Sequence, residues 1–128
     1  MARAKAAELN GYPGPAHVLE LKTKLKLTDL QRTATEALMA SHKGQAQALG
    51  AQLIEAERAL DAAFALKTAD AASVTDLTKH IGELQAKLRA EHLQTHLTQT
   101  AMLTPEQIAN YQTLRGYSSA TAAPKHVH

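Results

Sequence analysis

Leucine, alanine and other apolar residues recur along the chain in two series with the same alternating spacing of three and four residues. The first series is Leu49, Leu53, Ala56, Leu60 and Ala63, and the second is Val74, Leu77, Ile81, Leu84 and Leu88. This spacing aligns the apolar side chains on one side of an α-helix. The pattern predicts two long helices, from Thr28 to about Leu66 and after a connection at residues 67–72, packed as an antiparallel hairpin.

The segment before the first long helix is ambiguous. Apolar and charged residues alternate over residues 19–27, as in a strand, while Val18, Leu21 and Leu25 also fit a helical stripe. No second convincing strand exists in the sequence, and a lone strand leaves its backbone groups without partners. We therefore predict a helix over residues 16–26.

Local signals mark the ends of the remaining elements. Pro13-Gly14-Pro15 predicts a turn that opens a helix, Ser73 offers a cap for the second long helix, and Gly116 is expected to end a short last helix. The resulting organisation is a flexible lead-in at 1–13, a single helical domain at 14–117 and a disordered tail at 118–128. We expect four helices in all.

Composition supports an all-α fold with a thin core. The chain has 128 residues, of which 45% are hydrophobic but only 3% aromatic, and its apolar residues are mostly the helix formers Leu and Ala. Such a chain gains stability by burying a face against a second copy, so a homodimer is expected. The absence of Cys excludes disulfides and thiolate chemistry. No apolar stretch approaches the roughly 20 residues of a membrane span, so membrane insertion is not expected.

One pentapeptide pattern, Leu-Thr-x-x-Gln, occurs twice. Leu27-Thr28-Asp29-Leu30-Gln31 precedes the first long helix, and Leu103-Thr104-Pro105-Glu106-Gln107 precedes the last helix. Thr at an N-cap accepts a hydrogen bond from the N3 backbone N–H, and Gln at N3 reaches back to the N–H of the cap. Each copy therefore predicts a leucine packed ahead of a capped helix, with Leu27, Thr28, Gln31, Leu103, Thr104 and Gln107 as its structural residues.

This pair of motifs resembles the Spy/CpxP-type periplasmic proteins, which carry two Leu-Thr-x-x-Gln motifs and include chaperones and metal-response factors. The resemblance extends from about Asn10 to Tyr117. It implies an all-α, hooked antiparallel homodimer in the periplasm. No signal peptide is visible after Met1, so the resemblance also implies that a leader has been removed.

Seven histidines are the main chemical feature of the sequence. His92 and His96 stand four residues apart in a predicted helix, so both imidazoles can reach one ion, with Zn, Cu, Ni or Co as candidates. Alternatively, both side chains simply border the core. His126 and His128 form a second pair in the tail. The metal-sensor branch of the resembling family has two histidines before its first motif, where this chain has only His17, so that ligand set is not reproduced.

A basic segment precedes the first long helix. Residues 1–32 hold six Lys or Arg side chains, namely Arg3, Lys5, Lys22, Lys24, Lys26 and Arg32, against three acidic ones. The resemblance implies that Lys22, Lys24, Lys26 and Arg32, beside leucines, supply a client-binding surface for unfolded or acidic proteins. The alternative is an ordinary solvated face. A net charge of +2 and scarce aromatic residues do not favour a nucleic-acid partner.

No phosphate-binding glycine loop, nucleophile elbow or clustered carboxylates occur in the sequence, so we expect neither an enzyme nor a required cofactor. The leading hypothesis is a periplasmic, ATP-independent stress chaperone. A divalent-metal sensor or metal-resistance protein that uses His92 and His96 is the alternative. A third hypothesis is a regulatory protein that docks on a membrane-bound sensor.

Overall fold

The structure, a computed structural model, describes residues 4–117. In this part the chain forms α1 (Lys5–Leu9), α2 (Pro15–Glu20), α3 (Asp29–Ala65), α4 (Ala71–Ala101) and α5 (Pro105–Arg115), without a strand. The all-α prediction is confirmed, as are the two long helices. No described helix is both long and apolar enough to cross a membrane. The predicted disordered tail, with His126 and His128, lies outside the described residues.

Two segments differ from the sequence-based prediction. A short helix, α1, forms where a flexible lead-in was expected, so the described residues contain five helices instead of four. The predicted helix over 16–26 ends at Glu20, and turns follow over 21–26. Lys26 lies in the left-handed region, with φ of 57°, and the Leu27 N–H donates to the Lys22 carbonyl. This local geometry ends the helix before the first motif.

The described residues form two compact units. The first contains the helices through His42 together with the chain from His92 onward, and the second is Lys43–Glu91. In the first unit α3 and α4 run antiparallel, because Thr35 contacts Gln99 while His42, further along α3, contacts the earlier Thr95. Its core consists of Val18, Leu25, Leu103 and Tyr111, with Leu21, Leu27, Ile108 and Tyr117 packed against it.

The second unit contains the parts of α3 and α4 that carry the two apolar series. Ala56, Ile81 and Leu84 form its buried centre. Three partly buried leucines pack against this centre: Leu49, Leu53 and Leu60. The contact between the two predicted seams is therefore confirmed within this unit. Burial of Ile81 and of Leu84 each stabilises this unit by about 1.5–3 kcal/mol.

The first turn of α4 is capped differently from the prediction. The Ser73 N–H donates to Asp70 Oδ1 at 2.8 Å, and the Asp70 N–H donates to Ser73 Oγ at 3.0 Å. Asp70, rather than Ser73, is thus the cap residue, and Ser73 takes the reciprocal N3 position. The prediction placed the cap three residues late because the same Ser side chain can serve at either position.

We predict that the contribution of this cap to stability is lost in acid. The two hydrogen bonds from Ser73 lower the pKa of the Asp70 carboxyl below its ordinary value of 3.8. A carboxyl whose pKa is lower in the folded state stabilises the fold above its unfolded pKa, and this contribution disappears as the pH falls through the folded pKa. The Tm of the wild type should therefore exceed that of Asp70→Asn at neutral pH, and the difference should vanish in acid below that lowered pKa. A difference that is constant with pH would contradict the assignment.

Candidate functional site

Both Leu-Thr-x-x-Gln motifs form the predicted capping boxes. At the start of α3 the Gln31 N–H donates to Thr28 Oγ1 and the Thr28 N–H donates to Gln31 Oε1, each at 3.0 Å. At the start of α5 the Gln107 N–H donates to Thr104 Oγ1 at 3.1 Å and the Thr104 N–H donates to Gln107 Oε1 at 2.9 Å. Pro105 occupies the first turn of α5, where a missing N–H has no cost. Gly116 ends α5 with φ of 84°, as predicted.

The two motifs also bind each other through their glutamines. Gln31 Nε2 donates to Gln107 Oε1 at 2.8 Å, and Gln107 Nε2 donates to Gln31 Oε1 at 3.0 Å. Each amide nitrogen makes a further bond to the backbone: Gln31 to the Met102 carbonyl and Gln107 to the Leu25 carbonyl. With its cap bond included, each amide uses both donors and both acceptor positions. This arrangement requires Gln at both positions, because Glu lacks the two donors.

The basic segment predicted to bind clients forms a shallow pocket of about 300 Å³ in the first unit. Lys22, Lys26 and Arg32 line it, together with Thr23 and Leu27. The turns over residues 21–26 bring the two lysines together and bury the intervening Leu25, which is 2% exposed. The surface therefore joins basic groups to an apolar one, Leu27.

Arg32 and Lys24, two other residues of the predicted surface, each contact neighbouring groups of the protein. Arg32 lies 3.4 Å from Glu36 Oε1 and 3.8 Å from Asp29 Oδ1, so nearby carboxylates reduce the field of its charge. Lys24 does not line the pocket, but its backbone carbonyl accepts a hydrogen bond from the Asn110 side chain on α5. The structure thus brings together three of the four predicted basic residues.

His92 and His96, the predicted metal pair, have different neighbours. The His92 ring packs edge-on against the ring of His42 on α3, with centroids 4.5 Å apart and an interplanar angle of 73°. The Thr95 hydroxyl lies 3.1 Å from His42 Nδ1. His42 was not a predicted site residue. Only the packing of α3 against α4 reveals it, because 53 residues separate it from Thr95.

His96 faces the segment between α1 and α2. Its Nδ1 lies 2.6 Å from the Tyr12 carbonyl oxygen and 3.9 Å from Glu8 Oε1. A carbonyl oxygen only accepts hydrogen bonds, so Nδ1 carries the proton in this contact. Gly14 lies against the ring: a Cβ added there would stand 2.7 Å from the Cε1 and Nε2 atoms of His96. Glycine at position 14 therefore permits the close approach of this imidazole.

The Glu8 carboxylate on α1 contacts side chains of α5 and of the residues that follow it. Glu8 Oε2 accepts hydrogen bonds from the Tyr111 hydroxyl at 2.5 Å and the Tyr117 hydroxyl at 3.1 Å, and Arg115 Nε lies 3.6 Å away. Burial, followed by the hydrogen bond to Glu8, raises the pKa of Tyr111, so this phenol remains a donor. The bond with Tyr117 raises the pKa of Arg115.

Sequence reasoning missed Glu8, although it is the only acidic residue among residues 1–13. His17, the other histidine near this cluster, binds Glu20 Oε1 at 2.9 Å through Nδ1 and lies 3.3 Å from Arg115 Nη2 through Nε2. Its hydrogen bond lowers the pKa of Glu20. The surroundings of His17 are therefore polar and include a cation.

The side chains near the histidines determine which metal ions could bind there. Imidazole groups suit ions such as Zn, Cu and Ni, whereas Mg and Ca prefer sites built from oxygen ligands alone. Among residues 4–117, no group of three or more His, Cys, Asp or Glu side chains is arranged to hold a metal ion. Two imidazoles, those of His42 and His92, are in direct ring contact. A metal site in this region would therefore draw two ligands from these rings and the others from water or another molecule.

The fold and the paired motifs define a class of helical proteins in which two capped helix starts are joined through glutamine side chains. The model of the heavy-metal resistance family matches residues 4–110, and the chain belongs to this family. The family is part of the Spy/CpxP-like group with Leu-Thr-x-x-Gln motifs, so the resemblance read from the motifs is confirmed. No curated protein and no solved structure matches the chain.

Proposed function

We propose that this protein is a periplasmic, ATP-independent chaperone that acts in heavy-metal stress by binding unfolded or acidic client segments. The observation that carries the proposal is the pocket that Lys22, Lys26 and Arg32 line together with Leu27. A client carboxylate would pair with the lysines while an apolar client side chain contacts the leucine. Membership in the heavy-metal resistance family supports the stress context. The proposal includes a homodimer and no catalytic step.

Exposed apolar side chains support client binding in the first unit. Leu30 is 80% exposed and lies within the first motif, next to the basic pocket in sequence. Leu97 on α4 is 55% exposed. Apolar groups that stay in water in the folded protein are available to the apolar residues of an unfolded chain.

The second unit has a comparable mixed surface on α3. A shallow groove of about 610 Å³ is lined by Leu53, Ile54, Glu57, Arg58 and Asp61. Ile54 is 54% exposed, and the Arg58 guanidinium pairs with Glu55 at 2.8 Å. Apolar and charged groups therefore alternate on this helix as well. Such a surface can bind clients of varied sequence, because apolar contacts and exposed ion pairs do not require one fixed arrangement of the client side chains.

We predict that removing the two pocket lysines weakens client binding. In Lys22→Gln/Lys26→Gln, suppression of the aggregation of a denatured acidic protein should require about three- to tenfold more chaperone, from roughly 0.3–0.7 kcal/mol per exposed lysine. The matched control is Lys79→Gln/Lys87→Gln, which removes the same charge from exposed positions on α4. Light scattering measures the effect, and added salt should reduce the difference between the two variants.

Two results would contradict the chaperone proposal. The first is a wild type that fails to suppress aggregation at any ratio. The second is an equal loss of activity in both lysine variants, because that result would make overall charge, rather than the pocket, responsible.

The second candidate function is divalent-metal binding, as a sensor or a metal-resistance protein. The specific observation in its favour is the contact between His92 on α4 and His42 on α3, whose ring centroids lie 4.5 Å apart. The family description, heavy-metal resistance, suits this function as well as the first. In this function the metal-bound protein would act on a membrane-bound sensor, which is its proposed partner.

A further inference from the structure

We propose that His42 and His92 form the metal-binding site of this protein, with a first-row divalent cation such as Zn, Cu or Ni held between α3 and α4. The inference rests on the metal-binding candidate function and names its ligands. The two residues lie in the same compact unit, on helices that run antiparallel there. Their rings are already in contact, with centroids 4.5 Å apart.

The separation of the rings matches that of two imidazoles on one ion. With metal–nitrogen bonds of about 2.0–2.1 Å, two coordinated rings have centroids about 4.5 Å apart at a right angle and about 5.2 Å apart at the tetrahedral angle. The rings of His42 and His92 therefore need little translation. The ring planes differ by 73°, and we expect rotation about χ2 to turn one nitrogen of each ring toward a shared ion.

Thr95 is suited to orient one ligand. Its hydroxyl lies 3.1 Å from His42 Nδ1. When Nε2 binds the metal, Nδ1 carries the proton and donates a hydrogen bond to Thr95 Oγ1. Such hydrogen bonds from the second ring nitrogen fix the tautomer and orientation of metal-binding histidines. Thr95 is 5% exposed, so its position is held by packing, and it acts here as a positioning residue.

The remaining ligands of such an ion would be water or groups of another molecule, because no group of three or more His, Cys, Asp or Glu side chains in residues 4–117 is arranged to hold a metal ion. His42 and His92 are both half-buried. Two protein ligands with water in the other positions favour an exchangeable ion over a permanently bound structural one. Exchange suits a protein that responds to changes in metal concentration.

His96 fits this site poorly despite its helical spacing from His92. Its Nδ1 binds the Tyr12 carbonyl at 2.6 Å, and Gly14 packs against its Cε1 and Nε2 atoms. The Nδ1 bond to Tyr12 is compatible with a metal on Nε2. Nε2, however, is one of the atoms that Gly14 lies against, so sharing an ion with His92 would require His96 to move away from Gly14. The contact between α3 and α4 therefore favours His42 over His96 as the second ligand.

Calorimetric titration of the untagged full chain with Zn, Ni and Cu salts at neutral pH tests the proposal. All proteins carry His126→Ala and His128→Ala, so that the tail histidines do not contribute. We expect one ion to bind per chain. We also expect His42→Ala and His92→Ala each to weaken binding at least tenfold, since even the loss of an outer hydrogen bond to a metal ligand commonly costs about 10–100-fold.

Three controls complete the design. His96→Ala and the exposed His80→Ala should leave the affinity unchanged. Thr95→Val should weaken binding less than loss of either ligand, and it should alter the spectrum of the Cu complex, which a purely structural role would not. Far-UV circular dichroism verifies folding, and where an Ala variant unfolds, His42→Asn or His92→Asn replaces it.

The possible results separate the alternatives. Loss of affinity in His96→Ala, with His42→Ala unchanged, would overturn the proposal in favour of the pair His92 and His96. Equal loss in His80→Ala would overturn it by showing unspecific binding to surface histidines. Absence of binding by every ion would refute both the site and the metal-binding function, whereas the aggregation assay tests the chaperone function independently.

Discussion

Replacing Gln31 with Glu is expected to lower the stability of the protein by about 2–4 kcal/mol at neutral pH, because two hydrogen bonds are lost and their acceptors are left facing a carboxylate. Gln31 Nε2 donates to Gln107 Oε1 and to the Met102 carbonyl. In the variant an oxygen replaces this nitrogen and repels both acceptors. The substituted carboxylate can still accept the cap hydrogen bond from the Thr28 N–H. The decrease in stability therefore measures the contact between the two motifs.

Thermal unfolding measures this effect. A loss of 2–4 kcal/mol should lower Tm by about 8–15 °C for a chain of this size. In acid the substituted carboxyl becomes protonated and can donate one hydrogen bond, so part of the stability should return. Gln52→Glu is the matched control, since it makes the same change at an exposed position of α3 and should leave Tm nearly unchanged. An equal shift in both variants would show that the glutamine pair does not hold the two helix starts together.

Replacing Tyr111 with Phe is expected to destabilise the protein by about 1.5–3 kcal/mol, the range for hydrogen bonds to charged groups. The Tyr111 side chain is fully buried, and its hydroxyl donates to Glu8 Oε2 at 2.5 Å. Phe preserves the packing of the ring in the core with Val18 and Leu25. The decrease in stability therefore measures the hydrogen bond from the Tyr111 hydroxyl to Glu8 on α1.

The control for this variant is Tyr117→Phe. Tyr117 donates to the same oxygen at 3.1 Å and is only half-buried, so its loss should lower Tm less. Amide hydrogen exchange gives a second readout: α1 should lose protection in Tyr111→Phe while α4 retains it. A Tyr117→Phe variant that is destabilised as much as Tyr111→Phe would contradict the leading role of Tyr111 in holding α1.

The helices predicted best are those whose signals are local. The cap at Thr104, Pro105 in the first turn and Gly116 at the end all lie within α5 or beside it, so short-range rules locate this helix. The start of α3 likewise follows from the capping box of Thr28 and Gln31, and its apolar series, from Leu49 to Ala63, lies in its second half. The cap of α4 shows the limit of such rules, because Asp70 and Ser73 are both good cap residues and the pattern does not distinguish them.

Less of the candidate site than of the fold was visible in the sequence. The Leu-Thr-x-x-Gln motifs and the basic segment were found from their residues alone. The pairing of Gln31 with Gln107, however, joins positions 76 residues apart, and the bond between Glu8 and Tyr111 joins positions 103 apart. The histidine pair of the sequence, His92 and His96, satisfied helical spacing, yet the rings turn to different neighbours.

The sequence by itself determined that the chain is all-α, where α3 and α5 begin and end, and that each motif caps a helix, because propensity, periodicity and capping act within a few residues. Only the tertiary structure decided that the two motifs bind each other, that Glu8 holds α1, and that His42 meets His92. These contacts depend on the register at which helices pack. That register is set by many side chains distant in sequence, which no local pattern records.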